Sequence, residues 1–177
     1  MEELNLDYVK KTGAILILRN PNKFKRNDLK KFENKCSKRN IDLFIPNDIK
    51  TLFFLKSKKF YISAHNKKQF KHLKQTIPKI KIIGSAHNIA EIYEKINQGC
   101  DHIVLSRLFE TSSKYKRGHL GTFRFNLLTR NFSRKFIALG GINQSNFKKV
   151  NILNVYGCAI LKDKKKAGKY IPAFFKK

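Results

Sequence analysis

The chain has 177 residues, of which 41% are hydrophobic, so it can bury a core and is not a disordered chain. Its 39 Lys and Arg against 12 Asp and Glu give a net charge of +27, which favours anionic ligands. The lysines are spread along the chain, as a biased base composition also produces. Three cysteines stand far apart without a CxxC pair, which argues against a zinc site or a disulfide framework. We therefore expect one domain over residues 1–177.

The cellular setting follows from the apolar runs. The first residues lack the apolar region of a signal peptide, and the longest apolar runs, such as residues 14–18, are far too short to span a bilayer. The sequence thus predicts a cytoplasmic protein with no membrane segment.

Short apolar runs alternate with segments of helical spacing along the whole chain. The predicted helices cover residues 5–11, 28–39, 49–55, 67–76, 89–98, 123–130 and 145–150, and the predicted strands cover 14–18, 41–45, 60–63, 79–83, 102–106, 136–139 and 155–160. The basic tail, residues 162–177, is predicted to end in a closing helix that carries Tyr170, Ile171, Phe174 and Phe175.

Alternating strands and helices imply a parallel sheet with right-handed crossovers. Seven such units favour an α/β fold of the TIM (β/α)8-barrel type over an open sheet. Because a typical barrel has about 250 residues, we expect the first β/α unit to be missing or vestigial.

Polar residues follow each predicted strand, and in a barrel such positions meet at one end. They include cations, hydroxyls, a carboxylate and paired glycines: Arg19, Asn47, Asp48, His65, Asn66, Ser85, His87, Thr111, Ser113, Lys114, Gly140, Gly141 and Lys162. This set suits a phosphorylated substrate, because a Gly-Gly turn before a helix lets backbone N–H groups approach a phosphate. Asp48 could hold Mg²⁺.

Each of these residues also has a structural interpretation. Asn47 and Asp48 are good helix-capping residues, and a Gly-Gly pair after a strand is often only a tight turn. His87 could serve only to satisfy a backbone group at a helix start. The coincidence of seven strand ends favours a site.

Several of these motifs together resemble the thiamine phosphate synthase and TenI family. The resemblance rests on Ser85-Ala86-His87, on the run from Phe109 to Lys114, on Leu120-Gly121, and on Ala138 to Ile142, in the family's order and at similar spacing. Asn47-Asp48 is similar to the family's N-D pair, and Arg19 to its arginine. The family has a second metal-binding carboxylate after its third strand. This chain has no carboxylate there, and Asn66 is the closest residue. The resemblance covers roughly residues 14–161 and is densest at 82–142.

The resemblance implies an enzyme that joins hydroxymethylpyrimidine diphosphate to a thiazole phosphate and releases pyrophosphate, with Mg²⁺ as cofactor. Arg19, Asn47, Asp48, Ser85 and Lys114 would then hold the diphosphate and its metal, while Thr111, Ser113 and the Gly140-Gly141 turn would hold the thiazole phosphate. Ser85, His87 and Lys114 are the implied catalytic residues, and Lys162 is a further candidate substrate contact.

Three alternatives stay open. A TenI-like thiazole tautomerase would need no cofactor and would use His87 as its acid and base. A degenerate barrel would bind the thiazole phosphate without turnover. A basic nucleic-acid-binding protein would fit the charge, but no motif for specific nucleic-acid recognition is present. A homo-oligomer is compatible with each of these functions.

Overall fold

The computed structural model describes residues 5–11, 13–18, 21, 24–111, 118–133, 135–159 and 170–175. The strands are β1 (Ile15–Leu18), β2 (Leu43–Pro46), β3 (Lys59–Ile62), β4 (Lys81–Ala86), β5 (His102–Ser106), β6 (Lys135–Leu139), β7 (Gly157–Ala159) and β8 (Tyr170–Phe175). The helices are α1 (Leu6–Lys11), α2 (Arg26–Ser37), α3 (Ile49–Phe54), α4 (Leu73–Thr76), α5 (Ile89–Asn97) and α6 (Gly121–Thr129), followed by a 3₁₀ helix at Phe147–Ile152.

The eight strands form a closed barrel in which each strand pairs with the next along the chain. β1 to β7 are all parallel, with helical connections between them, and this confirms the barrel expected from the sequence. The seven predicted strands all exist, with ends shifted by a few residues. No described helix is long and apolar enough to reach across a membrane.

The eighth strand corrects one prediction. Residues 170–175 were expected to form a closing helix, but they form β8, which runs antiparallel between β1 and β7. Its backbone aligns Ala173 with Ile15 on one side and Phe175 with Gly157 on the other. A helix would have left two sheet edges with unpaired backbone groups, whereas the strand pairs both. β8 thus occupies the place that a missing parallel strand would have left open.

Two predicted helices differ in the structure. The helix expected at 67–76 is reduced to the four residues of α4, although Phe70 and Leu73 are buried as expected. The preceding segment is held as a loop because Asn66 Oδ1 accepts from the N–H of Lys68 at 3.0 Å. The helix expected at 145–150 is a 3₁₀ helix that begins only at Phe147.

Strand residues alternate between two apolar cores. One core fills the barrel and contains Ile17, Phe44, Ile83, Val104 and Ile137. The larger core lies between the barrel and its helices, and it takes the intervening residues of the same strands. The alternation fixes which residues near the strand ends face the barrel interior.

The three cysteines belong to this packing. Cys36, Cys100 and Cys158 are buried free thiols. Burial, with the nearby Glu33 carboxylate, raises the pKa of Cys36 to about 12, and burial also raises the pKa of Cys158. Such thiols are poor nucleophiles, since the thiolate is the reactive form.

Candidate functional site at the barrel mouth

The carboxyl ends of the parallel strands meet at one end of the barrel, which we call the mouth. The loops that follow β2, β4, β5 and β6 there carry Asn47, Asp48, His87, Thr111, Gly140 and Gly141, while Ser85 is the penultimate residue of β4. The other candidates, Arg19, Ser113, Lys114 and Lys162, lie outside the described residues. The structure therefore brings the described candidates to one end of the barrel.

Asn47 joins the ends of β2 and β3. Its Oδ1 accepts from the N–H of Ser63 at 3.0 Å and from Nδ2 of Asn66 at 2.9 Å, and its Nδ2 donates to Oγ of Ser63 at 3.1 Å. Asn47 adopts φ 55°, a left-handed conformation that Asn tolerates better than most residues. The residue is thus a connector at the rim of the mouth, with its side-chain amide already engaged.

Asp48 is the N-cap of α3. It accepts from the N–H of Thr51 at 3.1 Å and from Oγ1 of Thr51 at 2.6 Å. A carboxylate offers about four lone-pair sites, so acceptor capacity remains for a cation. In the described part of the chain, however, no three His, Cys, Asp or Glu side chains are grouped to hold a metal. Asp48 can therefore contribute one ligand, and the described residues form no complete metal cage.

Two serines face the interior of the barrel just below the mouth. Ser85 follows the interior residue Ile83 by two positions, and Ser106 likewise follows Val104. Their exposed fractions are 8% and 9%. Ser106 was not among the predicted site residues, although the alternation along its strand would have identified it.

His87 forms a pair with Glu91 at the start of α5. Its Nδ1 lies 2.9 Å from Oε2 of Glu91, and its backbone N–H donates to the same oxygen at 2.7 Å. The ring of His65 stacks near that of His87, with centroids 6.2 Å apart. Burial acts to raise the pKa of Glu91, but the hydrogen bonds from His87 outweigh it and the pKa lies below its ordinary value. Glu91 stays ionised and can orient an imidazole at the mouth, a role that the sequence did not indicate.

The glycine pair is shaped by contact with the loop after β5. Gly140 and Gly141 have φ 108° and 64°, and a Cβ on Gly141 would lie 2.1 Å from the carbonyl oxygen of Glu110. A Cβ on Gly140 would lie 2.9 Å from Cγ of Arg107. Because the 3₁₀ helix starts six residues after Gly141, the glycines do not lead directly into a helix as expected. Close packing of two loops is their evident structural role.

The loop after β5 supplies a hydroxyl and a cation. Oγ1 of Thr111 is buried and has no hydrogen-bond partner within the described part of the chain. Arg107, directly after β5, is half-buried and packs over Gly140. A buried hydroxyl without a partner is costly, so Thr111 is the described group that is best prepared for an incoming acceptor. Arg107 was missed, although a cation directly after a strand was the criterion used for Arg19.

The fold and the mouth define a parallel β/α barrel whose polar residues are collected at the carboxyl ends of its strands. Within that class, the profile of the thiamine monophosphate synthase family matches residues 7–163, and the chain belongs to this family.

Curated relatives and a solved structure agree with this assignment. A thiamine-phosphate synthase of Prochlorococcus marinus strain AS9601 is 29% identical over 69% of this chain and 37% of its own length. One from Clostridium botulinum strain Langeland is 31% identical over 50% of this chain and 44% of its own length. A thiamine phosphate pyrophosphorylase from Pyrococcus furiosus superposes with a TM-score of 0.70 at 14% identity, covering 94% of this chain and 84% of the other, which shows a shared fold. The chain matches less than half the length of these two curated relatives.

Proposed function

We propose that the protein is a thiamine-phosphate synthase, which couples hydroxymethylpyrimidine diphosphate to a thiazole phosphate and releases pyrophosphate. Membership of the family supports the reaction class. The observation that carries the proposal for this chain is the buried hydroxyl of Thr111, which lacks a partner among the described residues and lies in the loop where the family resemblance places a phosphate contact.

The described residues divide into two groups around the mouth. Thr111 would donate to the thiazole phosphate, and the half-buried cation of Arg107 adds attraction for an anion. On the opposite side, Asn47 and Asp48 follow β2 and would meet the diphosphate, while Ser85 faces the interior between them. Arg19 and Lys114 remain predicted contacts to the leaving pyrophosphate.

Magnesium is proposed as a cofactor that is shared with the substrate. Mg²⁺ is usually bound by one or two carboxylates together with substrate phosphates, and Asp48 offers one such carboxylate. The ion, when bound, would neutralise charge on the departing pyrophosphate. Asp48 would then combine that contact with its bond to Thr51.

The direct test is an assay for thiamine phosphate formed from both precursors, with and without Mg²⁺. Thr111→Val should raise the KM for the thiazole phosphate roughly tenfold, the cost of one hydrogen bond to a charged group. It should leave the free energy of unfolding unchanged or raise it by about 1 kcal/mol, because the hydroxyl that it removes is buried without a partner among the described residues. Thr129→Val is the matched control, because the Thr129 hydroxyl is buried but already bonded to the carbonyl of Phe125 at 2.9 Å. It should cost stability and leave KM unchanged.

A thiazole tautomerase is the second candidate, favoured by the hydrogen bond between His87 and Glu91. An imidazole held by a carboxylate can accept and return a proton. Two variants separate the candidates. In a synthase, Lys114→Ala should cost on the order of 2–4 kcal/mol of transition-state stabilisation and His87→Ala less. In a tautomerase, His87→Ala should slow turnover about 10²–10⁴-fold. Wild-type protein inactive in both assays would leave only the degenerate barrel.

A further inference from the structure

A lysine is completely buried behind the mouth. Lys95, on α5, has an exposed fraction of 0%, which is rare for a lysine. Its stem packs against the outer face of β4, where a Cβ on Gly84 would lie 2.9 Å from Cδ of Lys95. The missing side chain of Gly84 thus leaves the space through which the lysine passes.

The Lys95 ammonium ends on the loop that follows β3. Nζ donates to the carbonyl oxygen of Asn66 at 2.9 Å and to Oε1 of Gln98 at 2.8 Å. Gln98, also 0% exposed, donates through Nε2 to the carbonyls of Asn66 at 2.7 Å and Lys68 at 2.9 Å. Two buried side chains, one from α5 and one from its C-cap residue, therefore hold the same carbonyl group, that of Asn66.

The side chain of Asn66 extends this contact to the rim of the mouth. Its Nδ2 donates to Oδ1 of Asn47, the atom that also accepts from the N–H of Ser63. A continuous series of hydrogen bonds thus runs from α5 through the β3 loop to the end of β2. Asp48, the candidate metal ligand, is the next residue in the chain after Asn47.

We propose that Lys95 and Gln98 are positioning residues, which set the Asn66 loop so that Asn66 and Asn47 hold the diphosphate side of the mouth in its binding geometry. This inference rests on the proposed function for the identity of the ligand. The positioning itself is a property of the protein without ligand.

If Lys95 served only to fill space, an apolar residue would be expected at this position. Burial lowers the pKa of Lys95, which reflects the cost of holding an ammonium away from water. An apolar residue of similar volume would fill the same space without that cost. What the lysine adds is direction, because its hydrogen bonds fix a loop carbonyl that an apolar side chain could not hold.

The test uses the full chain, and three variants supply its first readout. Lys95→Met keeps the packing over Gly84 but removes the ammonium, and Gln98→Leu removes the second donor. Lys149→Met is the matched control, because Lys149 is exposed on the 3₁₀ helix. If Lys95→Met fails to fold, Gln98→Leu provides the same readouts.

The first readout is amide hydrogen exchange without ligand. In Lys95→Met the N–H of Ser63 should exchange at least tenfold faster, measured relative to the N–H of Leu16, which donates to the carbonyl of Asp42 in the barrel wall. Lys149→Met should leave this ratio unchanged. An unchanged ratio in both Lys95→Met and Gln98→Leu would overturn the proposal.

The second readout is the affinity for pyrophosphate in the presence of Mg²⁺, measured by calorimetry. Lys95→Met should weaken binding by roughly 3- to 10-fold, the range expected for one hydrogen bond. In an Asn66→Ala background, which keeps the loop carbonyl, Lys95→Met should cost no further affinity while it still lowers stability. An equal loss of affinity in both backgrounds would overturn the coupling through Asn66. Wild type that binds no pyrophosphate would count against the proposed function, and the exchange ratio of Ser63 would still decide the positioning.

Discussion

On the β2–β3 side of the mouth, side-chain amides join the strand ends, whereas on the β5–β6 side the backbones of two loops are in direct contact. Asn47 makes three hydrogen bonds to Ser63 and Asn66 on the first side. On the second side, the backbone N–H of Phe109 donates to the carbonyl of Gly140 at 3.0 Å, and Gly141 leaves no room for a side chain. A substitution can remove a side-chain hydrogen bond without moving the backbone. At a backbone contact this close, any added side chain forces a loop to move.

This difference predicts where the site can vary. On the amide side a substitution removes a bond of limited net value and leaves the loops free to adjust. On the backbone side one additional methyl group must displace a whole loop, and close-packed regions resist such displacement. The variants below run from the largest expected effect to the smallest. The first three compare the two sides, and the last lies at the other end of the barrel.

Gly141→Ala should cause the largest loss of stability. The new Cβ would meet the Glu110 carbonyl oxygen, and φ 64° would strain an alanine, so we expect a loss of roughly 2–5 kcal/mol in the free energy of unfolding. Gly13→Ala is the matched control, because Gly13 has φ 61° and no atom near its Cβ position, and it should lose only about 1–2 kcal/mol. Urea unfolding measures both. Equal losses would mean that the contact with Glu110 contributes nothing.

Asn47→Ala tests the amide side. Loss of three exposed hydrogen bonds together with a left-handed alanine should reduce the free energy of unfolding by roughly 2–3 kcal/mol. Asn47→Gly removes the same bonds without the backbone strain, so it should lose about 1 kcal/mol less. If the glycine variant matches wild type in urea, the three bonds have no net value and the amide side is held by other contacts.

Asp48→Ala should lower stability by about 1 kcal/mol through loss of the α3 cap. Asp48→Ser keeps a capping oxygen and removes the charge, so its stability should return to near the wild-type value. The same pair separates capping from metal binding in the synthase assay. Activity restored in Asp48→Ser would contradict the proposed contact to Mg²⁺, whereas activity lost in both variants would support it.

His102, at the other end of the barrel, should give the smallest effect, one that depends on pH. Its ring lies 4.4 Å from that of Tyr156, its Nε2 is buried, and the described chain offers that atom no hydrogen-bond partner. Burial lowers the pKa of His102 below 6.5, against an opposing effect of Asp101. The unfolded chain therefore takes up the proton first, and stability should fall as pH drops below about 6.5.

The measurement is the urea midpoint at pH 7.5 and pH 5.5 for wild type and His102→Phe. The phenylalanine keeps an aromatic contact with Tyr156 and cannot titrate, so the difference between the two pH values should shrink. An equal difference in both proteins would assign the pH dependence to other titratable groups.

The barrel and its seven parallel strands were predictable because each strand is a short apolar run followed by a turn signal, as at Ala14–Leu18 and Phe136–Leu139. β8 was not, because Tyr170, Ile171, Phe174 and Phe175 have helical spacing and Pro172 weakens a strand prediction. We attribute the strand conformation of residues 170–175 to pairing with the edges of β1 and β7. Such edges exist only in the tertiary structure, so the local sequence does not reveal them.

Residue type and position after a predicted strand were enough to place Asn47, Ser85, His87 and Thr111 at the same end of the barrel. The partners of these residues were not predictable. The sequence around Lys95 does not indicate that the lysine is buried. Its burial depends on the space that Gly84 leaves, and Gly84 lies in β4 rather than in the helix that carries the lysine. The closeness of Gly141 to Glu110 likewise arises only when two loops meet.

The antiparallel closure by β8 also has a consequence for how the protein forms. β1 aligns Ile15 with Ala173, so its second neighbour is synthesised after nearly all of the chain that the structure describes. Contacts so distant in sequence form slowly, because the intervening loop must be closed first. Until β8 pairs, a sheet made of β1 to β7 would have two unpaired edges, and sheet edges attract other chains. The chain in which β8 has not yet paired is therefore the state that we expect to be most prone to aggregation.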